Sequence, residues 1–128
     1  MNRLSKLIYI VAVSLLMLAP RWVEAGPPQT LKPDELEALL EKAETAEDHL
    51  KLAAHYSAEA ERLSKDAERH AGLAVRYRRR GSLPPKIAAA FQGMPKHCEN
   101  LAQSLRNAAK GAQQLAESHK GMADELKK

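Results

Sequence analysis

Alanine stands at every seventh position from Ala46 through Ala53, Ala60 and Ala67 to Ala74, and between these alanines come His49, Tyr56, Leu63, His70 and Tyr77. Spacings of three and four therefore alternate without a break, which is the pattern of an α-helix with one packing seam. A strand cannot use it, because side chains on a strand change face at every residue, and no stretch of the chain alternates at that period. The same pattern returns 49 residues later, with Ala102, Ala109, Ala116 and Ala123 at the alanine position and Cys98, Leu105, Ala112, His119 and Leu126 at the other. "HAGLA" at His70 and "HKGMA" at His119 are its best-preserved stretch. The chain reads as one helical unit written twice. Where alanine faces alanine, only methyl groups separate the two backbones, so the helices can approach closely.

The segment between the two runs, "RGSLPPKIAAAFQGMPK", contains Gly81, Pro84 and Pro85, which end the first helix because proline lacks an amide donor and clashes with the preceding turn. The expected fold class is all-α: a long antiparallel hairpin over 46–128, with helices at about 46–80 and 86–127. Gly93 to Pro95 should kink or restart the second helix, with Pro95 in its first turn. A turn centred on Pro84 pairs residues whose numbers sum to about 168. His49 then faces His119, His70 faces Cys98, Leu63 faces Leu105, and the bulky Tyr56 faces the small Ala112. A slip of one heptad would set His70 against Leu105, which matches neither size nor polarity. Before the hairpin, residues 26–45 should hold a short amphipathic helix opened by Pro33 and carrying Leu36, Leu39 and Leu40. Thr45, with Asp48 three residues on, resembles a capping box that starts the long helix.

Two helices bury only a narrow stripe, and small domains of this kind need further burial. A second apolar row, Met94, Leu101, Ala108, Leu115 and Met122, runs beside the seam of the second helix, and Leu52 and Leu73 widen the first. The short N-terminal helix, a second copy of the chain completing a four-helix bundle, or a protein partner is expected to cover that face.

Residues 1–25 have the order of a secretory signal: Arg3 and Lys6, an apolar run from Leu7 to Ala19, and Val23-Glu24-Ala25 before Gly26. The apolar run is shorter than the roughly 20 residues that span a bilayer. The expectation is an exported protein, periplasmic in a Gram-negative cell and extracellular otherwise, with no membrane span after cleavage. The remaining chain suffices for one small domain, and it is nearly balanced in charge, because part of the net charge of +4 lies in the signal. The run Arg78-Arg79-Arg80, with Arg76, stands where a helix should end, and cations there complement the helix dipole. That reading is preferred to a nucleic-acid or acidic-lipid patch, and no nucleic-acid partner is expected.

In the expected register the seam has two polar layers. One joins His49 and His119, with Met122 one turn beyond His119. The other joins His70 and Cys98, with Met94 one turn before Cys98. Imidazole, thiolate and thioether are donors for soft or borderline ions, copper first and zinc second. Taken singly, each of these side chains is accounted for as a hydrogen-bonded core histidine or a gap-filling methionine. The metal reading rests on four ligand-type residues falling at equivalent seam positions. Cys98 is the only cysteine, which rules out an internal disulfide, and no CxxCH run is present, so covalent haem is not expected. No glycine-rich phosphate cradle is present and no acid is placed to orient a nucleophile, so the chain reads as non-enzymatic. His55 and His97 fall outside the seam and read as surface residues.

Overall fold

The computed structural model describes residues 30–128, and every regular element among them is helical. The signal-peptide reading of residues 1–25 lies outside the described residues. The elements are α1 (Pro33–Lys42), α2 (Ala46–Arg80), a short α3 (Pro85–Ala88) that runs into a 3-10 turn (Ala89–Phe91), and α4 (Met94–Glu125). The long helices α2 and α4 pack against each other over their length, and α1 touches α2. Among the described residues no helix is long and apolar enough to cross a membrane.

Local chemistry explains the boundaries. Pro33 opens α1, and the Glu35 carboxylate accepts a hydrogen bond from the Lys32 amide at 3.1 Å. Thr45 and Asp48 cap α2 reciprocally: the Asp48 amide donates to Thr45 Oγ1 at 3.1 Å, and the Thr45 amide donates to the Asp48 carboxylate at 3.2 Å. The Thr45 hydroxyl also donates to that carboxylate, at 2.7 Å, and this bond first and the Thr45 amide second favour the ionised form and hold the Asp48 pKa below its ordinary value. At the far end Gly81 closes α2 through hydrogen bonds to the Arg78 and Arg79 carbonyls. The second long helix starts later than expected. Gly93, at φ 85°, turns the chain in a conformation that favours glycine, and α4 begins at Met94 with Pro95 in its first turn. The 86–91 stretch is therefore a separate corner and not the beginning of α4.

The core between α2 and α4 is largely methyl groups. Ala53, Ala60, Ala67 and Ala74 of α2 and Ala102, Ala109, Ala116 and Ala123 of α4 are all buried. The larger seam residues Leu63, His70, Tyr77 and Leu105 are half-buried beside them. Among the described residues, Leu52, at 0% exposure, is the one large side chain wholly enclosed. It stands at the edge of the seam, three residues before His55 and on the same side of α2.

The structure corrects the expectation for His55. It is 8% exposed and not a surface residue, and its Nδ1 accepts a hydrogen bond from the Leu31 amide at 3.0 Å. Its heptad position is outward only for an isolated helix pair. Here the N-terminal segment covers it. The apolar row on α4 is less covered than its sequence suggests: Met94 and Leu101 are half-buried, but Leu115 and Met122 are 47% and 48% exposed.

Candidate metal centre

His49, in the second turn of α2, and His119, in the last third of α4, meet across the seam. Their Nδ1 atoms are 3.0 Å apart, and the rings lie 25° from parallel with centroids 5.3 Å apart. This contact sets the hairpin register, and it is the one expected from the size and polarity of the facing residues. Tyr56, two turns along α2 from His49, stacks on the other imidazole, with its ring 5.7 Å from that of His119 and 6° from parallel. The phenol thus holds the ring of His119 by packing.

Two Nδ1 atoms at this distance share one proton, so one ring donates and the other accepts. Burial, and secondarily the charge that His49 carries when protonated, lowers the pKa of His119 below the usual histidine value. The neutral form of His119 is accordingly favoured. A neutral imidazole with its lone pair aimed at a second imidazole is also the form that binds a metal. A tetrahedral ion with bonds of about 2.0–2.1 Å needs its two nitrogens about 3.4 Å apart, so a small opening of the pair would admit one.

The second layer is sparser. Carrying the His49–His119 register 21 residues along both helices brings His70 level with Cys98. Cys98 is buried as a free thiol, and Nδ1 of His70 is buried with no hydrogen-bond partner among the described residues. Met94 is half-buried and His97 is exposed. Met122 is largely open to solvent one turn past His119. Among the described residues, no group of three or more His, Cys, Asp or Glu side chains converges to hold an ion. The expected ligands therefore stand as pairs, and any ion there would draw its remaining donors from a methionine, from water or from a second chain.

Sequence reasoning missed two features. His55 is enclosed by a contact 24 residues distant, and nothing in its local pattern marks that. The corner between the long helices holds a cleft of about 630 Å³ lined by Tyr77, Leu83, Ala88, Phe91 and Pro95 with Arg78. Its sequence signal is the absence of any Asp or Glu between Glu68 and Glu99. No protein family, characterised protein or solved structure matches the chain.

Proposed function

We propose that the protein is an exported, non-enzymatic helical hairpin, built by internal repetition, whose seam binds a transition-metal ion, copper first and zinc second. The observation that carries the reading is the 3.0 Å approach of Nδ1 of His49 to Nδ1 of His119, from two facing helices. Two imidazoles leave coordination positions open. Cu(I) tolerates few ligands and accepts a thioether such as Met122, whereas zinc would need two more donors, which a second copy of the chain could bring. The buried, unpartnered Nδ1 of His70 beside the level of Cys98 supports a second ligand pair of the same kind, with Met94 near it in sequence. Metal analysis of the mature protein taken from the exported fraction tests the reading. Copper or zinc at a fixed stoichiometry supports it, and metal-free protein with Gly26 at its N-terminus leaves export standing without the metal.

A second reading is a metal-free hairpin that binds partner helices, dimerises, or holds another envelope protein. It is favoured by Leu115, Met122 and Leu126, which remain about half exposed along α4. The two readings separate in one experiment. Chelation should change the stability of a metal protein and leave an interaction hairpin untouched.

A further inference from the structure

We propose that the turn end of the hairpin docks on an anionic lipid surface, using the basic side chains of that end together with the exposed aliphatic Ile87. Between Glu68 and Glu99 the chain carries Arg69, Arg76, Arg78, Arg79, Arg80, Lys86 and Lys96, and not one acid. The fold gathers these residues, apart from Arg69, at one end of a long rod. The acids Asp34, Glu35, Glu37, Glu41, Glu44, Glu47 and Asp48 belong to α1, the link after it and the start of α2, at the other end. The molecule is thus charged lengthwise, and its basic end points away from its acidic one.

Helix-dipole complementation explains only part of that charge. It accounts for Arg78, Arg79 and Arg80 in the last turn of α2. Lys96 lies in the first turn of α4, where a cation opposes the dipole and where no acid is present, and Lys86 lies in α3, too short at four residues for its dipole to account for a cation. Two of the arginines are engaged: Arg78 pairs with Glu99, and Arg80 lies over the Phe91 ring at 5.4 Å. Among the described residues, Arg76, Arg79, Lys86 and Lys96 form no ion pair.

The apolar part of the tip distinguishes a lipid from other anions. Ile87, at 48% exposure, projects from the corner, and the apolar cleft opens beside it. The aromatic rings are not presented for stacking on bases, since Tyr77 and Phe91 pack on each other at 5.9 Å and are half-buried. Cations and an exposed aliphatic side chain at the same end of the hairpin suit an interface with negative headgroups outside and acyl chains just beneath.

The test is co-sedimentation of the mature chain with vesicles of neutral phosphatidylcholine, alone or mixed equally with anionic phosphatidylglycerol. Binding should require the anionic lipid and fade as salt rises from about 0.02 M to about 0.5 M. Each basic residue near the surface contributes about fivefold to partitioning, so joint replacement Arg76→Gln, Arg79→Gln and Lys86→Gln should weaken binding on the order of a hundredfold. Ile87→Ser should weaken it several-fold while leaving the salt dependence unchanged. Lys110→Gln with Lys120→Gln, away from the tip, should change it less than about twofold. All these side chains are exposed, so circular dichroism should show the fold intact. Absence of binding to anionic vesicles at low salt overturns the proposal, as does an equal loss in the tip and remote variants. Equal affinity for duplex DNA at matched phosphate also overturns it, in favour of an unspecific phosphate field. Binding of a single-chain alkyl phosphate below micellar concentration, without vesicle binding, overturns it in favour of a monomeric lipid in the cleft.

Discussion

Truncating Leu52 to alanine should be the most damaging single change in the N-terminal half of the hairpin. Leu52 is wholly enclosed, whereas its neighbours in the core are alanines with nothing left to remove. Leu52→Ala deletes three carbons, which at about 0.8 kcal/mol each is about 2.4 kcal/mol of lost transfer free energy. A residual cavity adds to this, but Leu52 lies at the edge of the seam, near His55 where the Leu31 amide bonds, and that edge can settle inward, so the total should stay near about 2–3 kcal/mol. For a domain of this size that lowers Tm by about 10–20 °C. Leu115→Ala is the comparison: with that side chain 47% exposed, the loss should be about 1 kcal/mol. Thermal melts followed by circular dichroism would measure both. If Leu52→Ala melts within a few degrees of the parent, or no lower than Leu115→Ala, the N-terminal segment does not close over α2 in solution.

The depressed pKa of His119 gives stability a sign with pH. The unfolded chain takes up a proton near 6.5, while the folded chain resists to lower pH, so between those values the unfolded state binds more protons. Tm should fall as pH drops below about 6.5 and level off beneath the folded pKa, and His119→Gln should flatten that fall; an unchanged slope in the variant would place the titration elsewhere. Ala67→Leu should cost about 1–3 kcal/mol by forcing the helices apart, read as a lower urea midpoint, and a neutral result would mean that α2 and α4 do not approach as closely as the buried methyl groups require.

The seam was readable because a heptad pattern reports which residues face a neighbouring helix, and the alternation of alanine with larger residues restricts the register to one good match. His49 and His119 could be paired from sequence on that ground. Burial from outside the pair was not readable. His55 occupies an outward position by periodicity, and only the path of residues 30–32 decides that it is enclosed. Met122 shows the reverse: its place one turn from His119 is correct, but spacing alone cannot say that the side chain stays half exposed. The corner after Pro85 is helical as expected, in α3 and the 3-10 turn, and of the kink or restart expected at Gly93 to Pro95 the positive φ of Gly93 makes it a restart.

The most direct test of the seam as a metal site is a thermal melt of the mature protein, titrated with Cu(I) under reducing conditions and separately with Zn(II), beside His119→Ala. An ion held only by the folded chain stabilises it by about 2.7 kcal/mol at a hundred times its Kd, a rise in Tm of about 10–20 °C for this size of domain. The account predicts that rise for the parent and its loss in His119→Ala, with the metal-free variant still folded. A parent Tm unmoved by either ion well above micromolar concentration would contradict it. His49 and His119 would then be a hydrogen-bonded pair that satisfies the core and binds nothing.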